Sequence, residues 1–173
     1  MKKVDFLIVG GSAAGTTAAD SIRNLLPDVS ITIVTEEDHE QYSLVLIPHY
    51  IRGKISREQV FLKKPQWYKD KLIELIKLTK VIRLNSERKT VTLSSGEEIQ
   101  YGKLLITIGG KVIPFAVPGA ESKNLLYMRT IDDADKIIEI AKRSKKALII
   151  GGGFIGLEMA SCLAKNGIGD ITV

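Results

Sequence analysis

Two glycine-rich runs in this sequence have the residue types and spacing that a pyrophosphate-binding turn needs. The run GGSAAG occupies residues 10–15, and the run GGGFIG occupies residues 151–156. In each run the first glycine permits a tight turn, and the last lets the following helix pack closely on the preceding strand. The free amides of the first helical turn then face the phosphates. Each run therefore predicts a site for a dinucleotide.

The surroundings of the first run fit this interpretation. A short apolar strand is predicted for residues 4–9, a helix for residues 14–26 and a second strand for residues 31–34. The helix should bury one apolar stripe, made of Ala14, Ala18, Ile22 and Leu25. Glu36 follows the second strand, at a position where a carboxylate can accept hydrogen bonds from the hydroxyls of a ribose. Ser12 replaces the middle glycine of the pattern, so a glycine turn of an ordinary parallel α/β protein remains an alternative for this run alone.

The second run is complete, with glycines at positions 151, 153 and 156. A buried strand is predicted before it at residues 147–150, a helix after it to residue 166 and a last strand toward Val173. Two such turns in one chain indicate two dinucleotides, and electron transfer from a nicotinamide to a flavin is the chemistry that needs both. A duplicated fold that binds a single cofactor is the simpler alternative.

Composition limits the class of protein. The chain has 173 residues, of which 45% are hydrophobic and 26% charged, as in ordinary soluble domains. No apolar run is long enough to span a membrane, and the N-terminus does not have the pattern of a signal peptide, so a cytoplasmic protein without a membrane partner is expected. Cys162 is the only cysteine, which excludes an internal disulfide. We expect it to be a core residue, and we predict no metal site.

The net charge of +5 is concentrated in residues 54–89. No aromatic ladder or nucleic-acid motif accompanies these charges, so nucleic-acid binding is not expected. A solvated lysine-rich face is the simpler interpretation. A docking surface for an acidic electron-carrier protein is the alternative, because complementary charge steers such encounters.

The middle of the chain predicts shorter elements. A capping box at Ser56 predicts a helix to about residue 63, and Pro65 should begin a short helix carrying Trp67, Tyr68 and Leu72. Strands are predicted at residues 81–84, 90–93, 98–101 and 104–108, the first three forming a β-meander. Prolines rule out a helix in residues 111–123, and Thr130 should cap a helix that runs to about residue 143.

Four stretches together carry a family resemblance: IVGGSAAGTTAA at residues 8–19, YGKLLITIGG at 101–110, MRTIDDA at 128–134 and GGGFIGLEMA at 151–160. In order and spacing they resemble the N-terminal part of the FAD-dependent pyridine nucleotide-disulfide oxidoreductase superfamily. Within it they resemble the branch of NADH oxidases, coenzyme A disulfide reductases, rubredoxin and ferredoxin reductases, and nitrite reductase large subunits. The implied fold is α/β, with a Rossmann-like FAD-binding module and inserted β-meander at residues 1–119, and the start of a Rossmann-like NAD(P)-binding module at residues 125–173.

The resemblance also implies site residues. Those expected at the FAD are Gly10, Ser12, Ala13, Ala14 and Gly15 at the pyrophosphate, Glu36 at the adenosine ribose, the backbone of Val81 at the adenine, and Thr107 and Gly109 in a T-x-G turn. Those expected at NAD(P)H are Gly151, Gly153, Phe154, Ile155 and Gly156. Phe154 resembles the aromatic residue that gates the nicotinamide face of the flavin, and Glu158 resembles the acid near the nicotinamide.

The loop VLIPHY at residues 45–50 distinguishes the subfamilies. Disulfide- and peroxide-reducing members have a reactive cysteine about three residues before the proline of this loop, where this chain has Val45. Cysteine-dependent disulfide reduction is therefore disfavoured. His49 falls near the lysine that ferredoxin-reductase-like members place beside the flavin. One expectation is that His49 tunes the flavin or passes protons. The alternative is that it is an ordinary loop residue with a hydrogen-bond partner.

The implied activity is that of an FAD-dependent NAD(P)H oxidoreductase, which passes hydride from the nicotinamide to the flavin and then reduces oxygen or an electron carrier such as rubredoxin or ferredoxin. A homo-oligomeric parent is compatible with the resemblance. Because family members are longer, we expect this chain to be a piece that binds FAD poorly and catalyses little alone. A non-catalytic nucleotide-binding fragment or sensor is the alternative from another functional class.

Overall fold

A computed structural model describes every residue from Met1 to Val173, and the chain divides into two compact units. The first consists of Met1–Tyr42 and Phe61–Gly109, and the second of Ser43–Val60 and Gly110–Val173. Each unit contains one of the two glycine-rich runs. The domains predicted from the sequence, residues 1–119 and 125–173, are defined by the cofactor that each is expected to bind, and their bounds stay a prediction.

The first unit is built on one six-stranded sheet with the order β3-β2-β1-β6-β5-β4. Its strands are β1 (Lys2–Val9), β2 (Ile31–Val34), β3 (Ile73–Ile76), β4 (Val81–Asn85), β5 (Thr90–Leu93) and β6 (Glu98–Ile106). The neighbours β3, β2, β1 and β6 are parallel, whereas β6, β5 and β4 are antiparallel. This arrangement confirms the predicted α/β fold with a β-meander attached to a parallel sheet.

Both faces of β1 are covered, which explains why its sequence is almost continuously apolar. Ile8 packs in a cluster on one face with residues of the helix α1 (Ala13–Leu25) and of α3 (Pro65–Asp70). Leu7 belongs to a second cluster, which includes Val91 and Leu93 of the meander. Consecutive residues of a strand point to opposite faces, so the neighbours Leu7 and Ile8 enter different clusters.

The buried face of α1 differs from the predicted stripe. The residues that the helix buries are Gly15, Thr16 and Ala19, whereas Leu25 is 79% exposed and Ala14 is also exposed. The prediction was wrong for Ala14 and Leu25, whereas Ala18 and Ile22 are partly buried and pack against the cluster that contains Ile8. The helix instead turns its glycine toward the sheet, where the absence of a side chain permits the closest approach.

Other differences concern the ends of elements. Residues 98–108 do not form two strands, because β6 runs unbroken from Glu98 to Ile106, and β3 was not predicted. The helix α3 ends before Leu72, which has a φ of 50° and is exposed. Ser56 N donates to Oε1 of Gln59 at 2.8 Å, which is one of the two bonds of the predicted capping box, whereas Gln59 N donates to the carbonyl oxygen of Ser56 at 3.2 Å. Only a short 3-10 helix, Glu58–Val60, follows.

The second unit contains three α-helices, two 3-10 helices and a two-stranded parallel sheet. Its elements are a 3-10 helix (Leu44–Leu46), α2 (Ile47–Ile51), the 3-10 helix Glu58–Val60, α4 (Ile131–Ala141), β7 (Lys146–Leu148), α5 (Phe154–Lys165) and β8 (Asp170–Thr172). The predicted cap of α4 is confirmed, since Asp133 N donates to Oγ1 of Thr130 and Thr130 N donates to Oδ2 of Asp133. Residues 111–123 contain no helix or strand, as expected. None of the helices combines the length and apolar character needed to cross a membrane.

Candidate functional site

The first glycine turn joins β1 to α1 in a conformation that requires two glycines. Gly10 has a φ of +113°, and a Cβ atom there would lie 2.2 Å from the carbonyl oxygen of Thr107. A Cβ atom on Gly15 would lie 2.0 Å from the carbonyl oxygen of Gly10. Both distances are far below van der Waals contact, so neither position accepts a side chain without displacement of the backbone.

The second glycine turn, between β7 and α5, repeats this geometry. Gly151 has a φ of +118°, and a Cβ atom on Gly156 would lie 1.8 Å from the carbonyl oxygen of Gly151. The same atom would lie 3.3 Å from Cγ2 of Ile149, and its counterpart on Gly15 would lie 3.1 Å from Cγ2 of Ile8. The two turns therefore share the positive φ of the first glycine and the close packing of the last glycine on it, and they differ at the first glycine, because Gly10 also packs against Thr107 whereas a Cβ atom on Gly151 would meet nothing within 4 Å.

Ser12 fits the first turn without distorting it. As N-cap of α1 it has φ −83° and ψ −165°, close to the values of −78° and −177° at Gly153, the N-cap of α5. Neither residue makes a side-chain capping bond. The departure from glycine is thus compatible with the turn, because this backbone conformation is open to any residue.

Both helix N-termini have room for an anionic group. Ser12, Ala13 and Ala14 are exposed, and a Cβ atom on Gly151 or Gly153 would meet nothing within 4 Å. The first amides of a helix have no partner within it and carry the positive end of the helix dipole. Exposed small residues in front of such amides fit a pyrophosphate, so the residues present are suited to a dinucleotide at each turn.

The remaining residues predicted at the FAD lie around the first turn or on the adjoining strands. Thr107 follows β6, and its Oγ1 donates to the carbonyl oxygen of Gly10 at 3.0 Å. Gly109 has a φ of +64°, a conformation that favours glycine. Val81 begins β4 and is half-buried against the meander cluster. Glu36 follows β2 and is exposed, with its Oε2 3.3 Å from Nζ of Lys80.

The residues predicted at the nicotinamide end lie on α5 or close to it. Phe154, the first residue of α5, is 97% exposed, and Ile155 is also largely exposed. Glu158 lies one turn further along, and its Oε1 is 3.7 Å from Nη2 of Arg52. His49 lies on α2 and is half-buried. The sequence patterns did not identify Arg52, because its proximity to Glu158 arises only when α2 and α5 belong to one unit.

Cys162 lies on the face of α5 that packs on α2, and its side chain is fully buried. Its Sγ donates to the carbonyl oxygen of Pro48 at 3.5 Å. Burial raises the pKa of the Cys162 thiol, an effect that a hydrogen bond from Arg52 partly offsets. A buried thiol with a raised pKa is a core residue rather than a nucleophile, as predicted.

Tyr68 also packs in the core, in the cluster that covers the α1 face of the sheet, and Trp67 packs against that cluster. Both aromatic residues of α3 therefore pack against the sheet. Burial raises the pKa of the Tyr68 hydroxyl, which accepts a hydrogen bond from Gln41 N at 3.2 Å. The Tyr68 hydroxyl therefore ties the loop after β2 to α3.

Several positive charges of residues 54–89 are neutralised by acids of the chain itself. Four of the closest pairs join Lys71 to Asp20 at 2.9 Å, Lys77 to Glu40 at 3.2 Å, Lys80 to Glu36 at 3.3 Å and Arg57 to Asp135 at 2.9 Å. A basic stretch in the sequence therefore does not translate into an equally basic surface.

Comparison with known proteins agrees with this geometry. The family model described as pyridine nucleotide-disulphide oxidoreductase matches residues 4–173. Monodehydroascorbate reductase 2 of Arabidopsis thaliana is 33% identical over 99% of this chain and 43% of its own length. Nitrite reductase [NAD(P)H] of Bacillus subtilis is 32% identical over 100% of this chain and 22% of its own length.

A solved structure, that of NADH:rubredoxin oxidoreductase from Clostridium acetobutylicum, superposes with a TM-score of 0.88 at 31% identity. That superposition covers 98% of this chain and 44% of the rubredoxin oxidoreductase. The chain thus spans less than half of the length of each of these relatives.

Proposed function

Because the chain belongs to the pyridine nucleotide-disulphide oxidoreductase family, we propose that it binds FAD at the turn of Gly10 and NAD(P)H at the turn of Gly151. The observation that carries this proposal is the glycine geometry that the two turns share. Each has a glycine with a strongly positive φ, and in each the last glycine packs on the carbonyl oxygen of the first. One such turn is a feature of many α/β proteins, whereas a matched pair is suited to two dinucleotides.

In the first unit, the amides of Ser12 to Gly15 would hold the pyrophosphate of FAD. The Glu36 carboxylate would accept hydrogen bonds from the hydroxyls of its adenosine ribose. The backbone of Val81 would border the adenine, and Thr107 and Gly109 would border the cofactor beyond β6. FAD supplies a ring system that accepts a hydride and releases electrons singly or in pairs.

In the second unit, Gly151, Gly153 and Gly156 would admit the pyrophosphate of NAD(P)H, and Ile155 would contribute an amide of the first helical turn. The exposed ring of Phe154 would cover the hydride-transfer face and move aside when the nicotinamide arrives. Glu158, beside Arg52, would supply a carboxylate near the nicotinamide. His49 would tune the flavin or carry a proton. These groups bind and orient, and orientation supplies most of the acceleration in such a reaction.

The whole protein would then act as an FAD-dependent NAD(P)H oxidoreductase of the cytoplasm, with oxygen or an electron carrier such as rubredoxin or ferredoxin as acceptor. The similarity to a rubredoxin oxidoreductase supports a carrier protein. Val45, which is 79% exposed and has no thiol, argues against disulfide reduction through this loop.

Nucleotide binding is tested with the nitrogen-15-labelled chain, titrated separately with FAD and with NADH while amide resonances are followed. Because this piece is expected to bind FAD poorly, the titration is carried to high nucleotide concentration, where we expect FAD to shift the amides of residues 10–15 and NADH those of residues 151–156. Gly15→Val should abolish the first response and keep the second. If neither turn responds to either nucleotide, the proposed sites are wrong.

Catalysis is tested with a longer protein that contains this chain, by measuring NADH oxidation with a dye acceptor. Steady oxidation that depends on added FAD would exclude the non-catalytic sensor. Binding of both nucleotides without turnover would favour the sensor over the enzyme.

A further inference from the structure

The adenosine end of the first unit contains an ion pair that the sequence patterns did not predict. Nζ of Lys80 lies 3.3 Å from Oε2 of Glu36, and each side chain is about half exposed. We propose that Lys80 is a positioning residue for the nucleotide, which holds the Glu36 carboxylate at the ribose site and offsets its charge. This inference rests on the proposed function, because Glu36 is the acid proposed to bind the ribose of FAD.

The backbone places the two residues together. Lys80 N donates to Oγ of Ser94 at 3.1 Å, and the carbonyl oxygen of Lys80 accepts from Ser94 N at 2.8 Å. Thr79 N donates to the carbonyl oxygen of Thr35 at 2.9 Å, which ties the residue before Lys80 to the residue before Glu36. These contacts therefore bring the backbones of the two residues together, and their side chains meet from these neighbouring positions.

The charges of the ligand explain what this pair would do. A pyrophosphate carries negative charge, so an ionised Glu36 at the ribose repels it over a distance at which salt screening is incomplete. The Lys80 ammonium reduces that repulsion. A carboxylate has two oxygens with about four lone-pair directions. Glu36 therefore accepts hydrogen bonds from a ribose while it stays paired with Lys80.

A neighbouring lysine provides a matched control. Nζ of Lys77 lies 3.3 Å from Oδ1 of Asp38 and 3.2 Å from Oε1 of Glu40. Its removal deletes the same charge from the same loop and leaves the Glu36 pair intact. A general effect of net charge should therefore appear equally in Lys77→Met and Lys80→Met.

The probe is ADP, which contains the adenine, ribose and pyrophosphate of FAD. ADP is titrated into the labelled full chain, and affinity at the first turn is obtained from the amides of residues 10–15, which separates it from binding at the second turn. We expect Lys80→Met to weaken ADP about threefold to fivefold at low ionic strength, as for an exposed ion pair, and less at high salt. Lys80→Arg and Lys77→Met should each stay within about twofold of the original chain.

A second background distinguishes positioning from direct contact. In Glu36→Gln, Lys80→Met should change ADP affinity by less than about twofold, since no carboxylate remains to be held. An equal loss in both backgrounds would mean that Lys80 contacts the nucleotide itself, and the inference would be overturned. Glu36→Gln alone should weaken ADP but not 2′,3′-dideoxy-ADP, which lacks the hydroxyls.

These results separate the two proposals. If ADP does not shift the first turn, or if Glu36→Gln leaves ADP affinity unchanged, the proposed FAD site fails. If Glu36→Gln weakens ADP and Lys80→Met does not, the site stands and the role of Lys80 is refuted.

Discussion

Thr107 joins the first glycine turn to the end of β6, because its Oγ1 donates to the carbonyl oxygen of Gly10 at 3.0 Å. Its backbone N also donates to the carbonyl oxygen of Val9 at 2.8 Å. The carbonyl of Thr107 in turn occupies the space that a side chain on Gly10 would need. The shape of a turn near the N-terminus thus depends on a residue 97 positions later.

Replacement of Thr107 should loosen this turn. Thr107→Val removes the hydroxyl and keeps the shape, so we expect a loss of about 1 kcal/mol in the free energy of unfolding and weaker ADP binding at the first turn. Thr107→Ser keeps the hydroxyl, so it should retain most of the stability and most of the ADP affinity at the first turn. Urea denaturation and the amide titration measure the two effects. Equal behaviour of the Val and Ser variants would show that the hydroxyl does not hold the turn.

The second turn gives a comparison between neighbouring glycines. Gly156→Ala places Cβ against the carbonyl oxygen of Gly151, whereas Gly152→Ala places it in open space. We expect Gly156→Ala to lower the free energy of unfolding by about 2 kcal/mol, because the backbone must move, and to weaken NADH binding at this turn. Gly152→Ala should change stability by less than about 0.5 kcal/mol.

Denaturation of both alanine variants, followed by NADH titration, checks this expectation. A Gly156→Ala chain as stable as Gly152→Ala would mean that α5 shifts away from β7 without cost, and the close packing of this turn would then have no energetic role.

The glycine turns and the cap of α4 could be predicted from the sequence because their determinants are local. A tight turn needs glycine at fixed spacing, and a capping box needs Thr130 and Asp133 three residues apart. The unbroken β6 could not be predicted, because a glycine such as Gly102 is typical of the end of a strand. In the structure a Cβ atom on Gly102 would lie 2.8 Å from the carbonyl oxygen of Asp5, so this glycine serves the close approach of β6 to β1.

The ion pairs at the candidate sites could not be predicted for a related reason. Lys80 and Glu36 are distant in sequence, and so are Arg52 and Glu158. Composition showed a basic stretch, but it did not show that acids elsewhere in the chain neutralise much of it. Such partners depend on tertiary packing, which no local pattern records.

A hydrogen-bonded group in the second unit predicts a dependence of stability on alkaline pH. The Tyr50 hydroxyl donates to Oδ1 of Asp135 at 2.7 Å, and Nε of Arg57 donates to Oδ2 of the same carboxylate at 2.9 Å. Burial, with the hydrogen bond and charge of Asp135, raises the pKa of Tyr50 from 10.0 to about 12. The folded chain therefore keeps this proton at a pH where the unfolded chain loses it.

The sign of the effect follows from that difference in bound protons. The contribution of Tyr50 to the free energy of unfolding is fully present below pH 10.0 and is lost as the pH rises through about 12. Tyr50→Phe removes the titrating group, so its free energy of unfolding should fall less steeply across this range. Asp135→Asn removes the anion and should lower the pKa of Tyr50, which moves the loss to lower pH. Urea denaturation at a series of pH values measures the slopes, and identical slopes for the original chain and Tyr50→Phe would show that Asp135 does not hold this proton.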